Sequence, residues 1–332
     1  MNVHSIIIGT VCDNLFLANN IANQQNGEIM MQKKVTFKNN EHEMAGILFF
    51  PDDFDETQQY AAFPVASPAG AVKEQIATNY GSRLAKYGFI ALAFDTSHQG
   101  ESGGTPRQLE APYERVEDIK CAIDYLTTLP YVDNERIGQF GVCAGAGYSM
   151  HTAMTDRRIK AVAVASMSDP ASWIRDGFDG KTPVETQLAL LEEASNQRTR
   201  EANGADPIYG TFVPEEVTAG MPNTLEEAHE YYRTPRGQHP RSTNQVSMMS
   251  IDKMTDFSTF MFADKYLTQP ILMIAGTNAD TLRFSEDLLE KAASKNKELF
   301  TIEGATHVDL YDKPEYVDQA VAKAAAFFKA NL

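Results

Sequence analysis

The stretch RIGQFGVCAGAGYSMHTAM, residues 136–154, decides how this chain is read. A β-like run closes in Gly141-Val142-Cys143-Ala144-Gly145 and passes without a spacer into a segment of helical character. A strand that turns so abruptly into a helix crowds the neighbouring Cβ positions, and glycines on either side of the tip relieve the crowding. The tip residue, Cys143, then stands at a helix N-terminus, where unpaired N–H groups and the helix dipole favour a thiolate and a developing oxyanion. This is the layout of a GxSxG nucleophile elbow with cysteine in place of serine. Taken alone, a small buried structural cysteine would leave the same trace.

Working outward from the elbow, strand-like runs occupy residues 33–39, 44–50, 61–67, 89–95, 136–142, 160–166, 270–276 and 297–303. Helix-length segments separate most of them, for example 73–87, 113–129, 284–294 and 314–331. From the third run onward the strands are apolar throughout and do not alternate, so they are expected to be parallel strands buried on both faces under helices. The fold class this predicts is α/β, with a mostly parallel, doubly wound sheet.

The rhythm breaks once. Residues 168–266 are too many for a crossover and contain helix-like pieces of their own, PVETQLALLEEASNQRTREANG and NTLEEAHEYYRT, which predicts an inserted helical cap. The chain therefore divides into an N-terminal extension at 1–32, a first core part at 33–167, the cap, and a second core part at 267–332. Aromatic residues of the cap, among them Trp173, Phe178, Tyr209, Tyr231, Tyr232, Phe257, Phe260 and Phe262, either line a pocket or form the cap's own core, and the second role is expected for most.

Two further segments give the elbow its context. GTNADTLRFSEDLLEKA places Asp280 in the loop beyond the seventh run, and KELFTIEGATHVDLYD places His307 just past the eighth. Nucleophile, acid and base then follow one another in chain order at the edge of the sheet where a doubly wound fold puts its site. Asp169, just past the sixth run, is the rival acid. One oxyanion donor is expected from the backbone N–H of Ala144, and the second from the loop SPAGAVKEQ, at Ala69 to Ala71, with Gly70 and Ala71 as the leading candidates. Glu74, in the same segment, either contacts the nucleophile or caps the helix that follows. The loop DTSHQGESGGTPR, residues 95–107, lacks the phosphate-loop spacing, and His98 within it is not assigned as the base.

Composition narrows the partners. A formal net charge of −16 repels phosphate backbones and anionic lipid, so neither nucleic acid nor a membrane surface is expected to bind. Three cysteines with no CxxC pair suggest a reducing, cytoplasmic setting and no zinc site. The first twenty residues carry no basic region before their apolar run, and are read as neither signal peptide nor membrane span. No metal or organic cofactor is called for; the partner is a small-molecule acyl substrate, and a homo-oligomer remains open.

Taken together, GVCAGAGY, SPAGAVKEQ, AFDTSHQGESGGTPR, RVEDIKCAIDYL, ADTLRFSEDLLEKA and GATHVDLYD resemble the cysteine-elbow α/β hydrolases related to dienelactone hydrolase. The resemblance is closer to the subgroup of YcjY-like hydrolases and fungal polyketide transferases, or thiohydrolases. It covers residues 33–332. It implies an α/β-hydrolase fold with Cys143 as nucleophile, Asp280 as acid and His307 as base. The implied chemistry is hydrolysis of an ester, lactone or thioester through an acyl-enzyme, with acyl transfer as the alternative; a ligand-binding member of the fold with an inert cysteine is a third. The chain departs from the subgroup in the loop after the third run, where Ser67, Pro68, Ala69, Gly70 and Ala71 replace a histidine and a run of glycines.

Overall fold

A computed structural model of the chain describes residues 23–25, 28–40 and 42–332. Most of the N-terminal extension thus lies outside the described residues, apart from two short antiparallel strands, β1 (Asn23–Gln25) and β2 (Glu28–Met30).

The eight strand-like runs form one sheet. In chain order its members are β3 (Gln32–Asn39), β4 (His42–Phe49), β5 (Tyr60–Ala66), β6 (Ile90–Phe94), β7 (Val132–Val142), β8 (Ile159–Ala165), β11 (Ile271–Gly276) and β12 (Lys297–Ile302). In space they run β12-β11-β8-β7-β5-β6-β4-β3. Every pairing from β12 to β6 is parallel, and β3 and β4 join antiparallel at one edge. The burial patterns explain the difference. In β3 buried and exposed residues alternate from Val35 on, as befits a strand covered on one face, whereas every residue of β6 and β11 is buried. The last run departs from the expectation of full burial: β12 is the other edge, and only Ile302 in it is buried.

From β5 the chain steps to β6 on one side through α1 (Ile76–Ala85), then back to β7 on the other through α2 (Pro112–Thr127). Right-handed crossovers in opposite directions place α1 and α2 on opposite faces. α1 packs with α11 (Pro314–Asn331), and α2 with α3 (Ala144–Thr155). The reversal of direction at β5 and β7 is where such sheets open a crevice at the strands' carboxyl ends.

Between β8 and β11 the chain builds α4 (Pro170–Arg175), α5 (Val184–Ala202), α6 (Asn223–Arg233), α7 (Ser250–Thr255) and α8 (Ala263–Tyr266), with an antiparallel pair β9 (Tyr209–Thr211) and β10 (Gln245–Ser247). After β11 follow α9 (Leu282–Lys291) and, past β12, α10 (Asp309–Asp312). Among the described residues no helix is long and apolar enough to cross a membrane, and no group of three or more His, Cys, Asp or Glu is placed to hold a metal.

A buried ionic knot ties the loops above the sheet to this insertion. Glu110, fully buried, takes two contacts from Arg115 at 3.1 and 3.2 Å and the Tyr148 hydroxyl at 2.8 Å, while its N–H donates to Ser250 of α7. Arg115 in turn donates to the Ser67 carbonyl at 2.6 Å, fixing the loop that follows β5. Paired in this way the charges are tolerated in the interior; removing one partner would strand the other.

Candidate active site

The turn from β7 into α3 is as tight as its glycines imply. A Cβ on Gly141 would collide with the Gly145 carbonyl, and one on Gly145 with the Ala66 carbonyl. Cys143 itself sits at φ 56°, ψ −121°, a strained conformation costing on the order of 1–3 kcal/mol. The surroundings over-determine it: its N–H donates to Ala165 at the end of β8, and its carbonyl accepts from Ser168. The thiol is 6 % exposed.

His307 lies in the loop after β12, with its backbone carbonyl held by the Ser166 hydroxyl at 2.8 Å. Its Nε2 is 3.2 Å from the hydroxyl of Tyr311, one helical turn onward. The Tyr311 hydroxyl and the His307 ring both hydrogen-bond the Cys143 sulfur, and Ser168 Oγ stands 3.6 Å from it. Burial pushes the Cys143 thiol up, but the His307 charge and the hydrogen bonds from His307, Tyr311 and Ser168 outweigh burial and hold the thiol below its ordinary value. Burial and the neighbouring sulfur drive the Tyr311 phenol well above its usual value, so that it remains a donor. Tyr80 anchors this segment from below, donating to the Leu310 carbonyl at 2.7 Å.

Asp280 is not brought to His307. Its carboxylate takes the N–H and the hydroxyl of Thr224, capping the first turn of α6, while His307 Nδ1 meets the hydroxyl of the adjacent Thr281 at 2.6 Å. The expected carboxylate–imidazole pair is thus replaced by a threonine–imidazole pair, one residue along, because the amide at the start of α6 competes for the same acid. Asp169 is no substitute: it is buried against Thr259, with its oxygen 3.2 Å from that hydroxyl.

The oxyanion side also needs correction. Ala144, as the first residue of α3, has an N–H without an acceptor inside its helix. In the loop after β5, however, the Ala71 N–H is spent on the Pro68 carbonyl, while Gly70 accepts the Ser242 hydroxyl at its carbonyl. The cavity containing Cys143 and Ala144 is lined by Pro68 and Ala69. Glu74 does not reach Cys143 or cap a helix: it lies 3.0 Å from buried Lys73 and 2.5 Å from Arg241 of the insertion. Lys73 also binds Asp95 at 2.7 Å and Glu101 at 2.6 Å, which makes this cluster a charged brace. His98 is likewise occupied, between the Pro106 carbonyl and Glu114.

Over the sulfur lies a cavity of about 120 Å³. The sheet side contributes Cys143, Ala144, Ser168 and Tyr311, and the segment between β8 and β11 supplies most of the remaining wall. Of the aromatics expected to divide between lining and core, Trp173 and Tyr232 line the cavity, Tyr231 and Phe257 are core, and Phe262 is exposed. Tyr311, Thr281 and Ser168 were not marked by any motif. Tyr311 had one signal, its spacing of four from His307, which puts both on one side of a helical turn.

Comparison with known proteins agrees with this fold. Residues 65–205 match the model of the dienelactone hydrolase family. The uncharacterized protein YcjY of Escherichia coli (strain K12) is 42 % identical over 306 residues, covering 91 % of this chain and all of that one. The crystal structure of the hypothetical protein PA2218 from Pseudomonas aeruginosa superposes with a TM-score of 0.84 at 34 % identity, covering 91 % of this chain and 94 % of that one. The α/β hydrolase GrgF from Penicillium sp. sh18 shares the fold, with a TM-score of 0.77 at 19 % identity over 90 % of this chain and 98 % of that one. Sheet order, elbow and relatives together establish that the chain belongs to the same family as YcjY and PA2218 and has the α/β-hydrolase fold, with a dienelactone hydrolase family match over residues 65–205.

Proposed function

We propose that the protein is a cysteine-dependent acyl hydrolase acting on an ester, lactone or thioester. The observation that carries this reading is the convergence of His307, Tyr311 and Ser168 on the sulfur of Cys143 at a strained elbow. His307 takes the thiol proton at Nε2; in this reading its Nδ1–H donates to the Thr281 hydroxyl, which leaves Nε2 as the basic nitrogen. Thiolate attack on the substrate carbonyl gives a tetrahedral oxyanion, received by the N–H of Ala144 and by a second N–H for which Ala69, also in the cavity lining, is the candidate. Collapse expels the leaving group with the proton from His307 and leaves an acyl-Cys143. Water activated by His307 then releases the acid and restores the thiol.

Tyr311 contributes a donor to the sulfur and thereby favours the thiolate. Replacing Tyr311 by Phe is expected to slow iodoacetamide labelling of Cys143 near neutral pH by about tenfold and to move the labelling profile to higher pH. Labelling rates measured from about pH 5 to 9 check this. An unmoved profile would mean that His307 and Ser168 set the thiol without Tyr311.

Acyl transfer to an alcohol or amine is the second reading. It draws on the enclosure of Cys143 under the helical segment, which limits water, and on the name polyketide transferase carried by the Penicillium relative GrgF. The test is a panel of nitrophenyl esters, lactones and acyl-thioesters, with mass spectrometry for acyl-Cys143 and with added alcohols to partition the intermediate. A trapped acyl-Cys143 that yields free acid supports hydrolysis, one that yields mainly ester supports transfer, and turnover without modification of Cys143 overturns both.

A further inference from the structure

The turn that carries Tyr311 is too short to hold itself. α10 has four residues, Asp309–Asp312, and an isolated turn of that length is not stable in water. Groups from outside set its position. From α1, Tyr80 donates to the Leu310 carbonyl at 2.7 Å and Asn79 Nδ2 to the Tyr311 carbonyl at 2.8 Å. From the insertion comes Arg236, just beyond the end of α6. Its Nε and Nη2 donate to the two Asp312 oxygens at 2.9 and 2.6 Å, and Nη2 also stands 3.5 Å from the Val308 carbonyl. Two parallel bonds between planar groups fix an angle as well as a distance, which a single contact does not. The Arg236 side chain is only 16 % exposed, so solvent ions screen the pair less than a surface pair.

The same stretch of chain reaches the opposite wall of the cavity. The Gly237 carbonyl accepts from Gln75 Nε2 at 2.7 Å, Gln75 Oε1 accepts the Val72 N–H at 2.9 Å, and the Ser242 hydroxyl donates to the Gly70 carbonyl at 2.7 Å. Pro68 and Ala69 of that loop line the cavity together with Cys143 and Tyr311. Residues 236–242 therefore bridge the loop after β5 and the turn after His307. The bridge has little slack. A Cβ on Gly237 would fall 2.4 Å from the Tyr231 ring, and that ring meets the Arg236 guanidinium at 5.7 Å and the Tyr311 ring edge-on at 5.4 Å.

Resting on the reading of Cys143 as the nucleophile, we propose that Arg236 is a positioning residue: through Asp312 it holds the Tyr311 hydroxyl in place at His307 and Cys143, so that the insertion completes the site. Arg236 touches no reacting atom. Its effect passes along the chain from Asp312 to the adjacent Tyr311, whose hydroxyl lies 3.2 Å from His307 Nε2. A hydrogen bond weakens steeply with angle and distance, so release of the turn at Asp312 loosens the donor that favours the thiolate.

The experiment measures iodoacetamide labelling of Cys143 across pH in the full chain, with kcat and KM for a nitrophenyl ester beside it. Expected for Arg236→Gln is about fivefold slower labelling near neutral pH, a profile moved to higher pH, kcat lowered by a similar factor and KM within about twofold of the parent. Asp312→Asn should do the same, and the double variant should be no slower than the slower single one, because both remove one contact. In a Tyr311→Phe background, Arg236→Gln should change labelling by less than about twofold. Arg233→Gln breaks an exposed ion pair between α6 and Glu215 and controls for general loosening of the insertion; its profile should stay where the parent's is. An unmoved profile in either Arg236→Gln or Asp312→Asn overturns the proposal. So does an equal shift in Arg233→Gln, an additive double variant, or an Arg236→Gln effect that persists in full without the Tyr311 hydroxyl. Should Arg236→Gln fail to fold, Asp312→Asn, which keeps the side chain's size, decides alone. Labelling needs no substrate, so failure to trap acyl-Cys143 would count against the hydrolase reading and leave this test standing.

Discussion

Cys143→Ala is expected to lower kcat/KM by about 10⁴-fold or more while leaving the fold intact. In the proposed reaction the sulfur is the bond-forming atom, so no neighbour inherits its role, and the Ala144 N–H left behind can only polarise a carbonyl that nothing attacks. Alanine also keeps the space the elbow allows: its Cβ occupies the position that the cysteine Cβ already holds at φ 56°. Circular dichroism and thermal melting should match the parent protein. Cys143→Ser is the sharper control. A serine hydroxyl needs a base reinforced by a carboxylate, whereas a thiol ionises near neutrality with an imidazole alone. With His307 Nδ1 on Thr281 instead of an acid, the serine variant should remain depressed by about 10³-fold. A serine variant as active as the parent would show that a carboxylate assists His307 in the working enzyme, and a folded, active alanine variant would remove Cys143 from the chemistry altogether.

How much of this site was legible before the fold was seen follows from the range of each interaction. The elbow could be read because its cause is local: glycines at 141 and 145 and the strand-to-helix change are all within a few residues of Cys143. The sheet could be read because burial on both faces writes itself into each strand as an unbroken apolar run, as in IALAF of β6 and ILMIAG of β11. Partner choice among polar side chains is set by groups distant in sequence. Asp280 binds Thr224, 56 positions away, and Glu74 binds Arg241, 167 positions away. Nothing in the segments around Asp280 or Glu74 records those meetings. The oxyanion loop failed for a smaller reason: whether an N–H is free depends on one turn, and the Ala71 N–H closes onto Pro68 within the loop itself.

His307→Ala should reduce kcat/KM by about 10³–10⁴-fold and slow alkylation of Cys143, because in the proposed reaction both proton removal from the thiol and proton delivery to the leaving group pass through Nε2. Its counterpart is Asp280→Asn, for which the geometry predicts a much smaller loss, under about tenfold. An asparagine side chain still offers a carbonyl oxygen to the Thr224 N–H, so the first turn of α6 keeps its cap, and the His307 ring keeps its hydrogen bond to Thr281. Thr281→Val removes that bond with little change of volume and frees the ring to rotate or change tautomer. It should therefore lower kcat more than Asp280→Asn does, while leaving KM nearly unchanged. The two variants separate two designs of the same site. In one, the imidazole is held by a neutral hydroxyl and the neighbouring acid serves the helical segment above it; in the other, the acid leaves Thr224 and moves to His307 when substrate fills the cavity that Thr224 lines. Comparable collapse in Asp280→Asn and His307→Ala, with Thr281→Val spared, would establish the second design, and since the acid cannot serve both partners at once, catalysis would then be coupled to movement of α6.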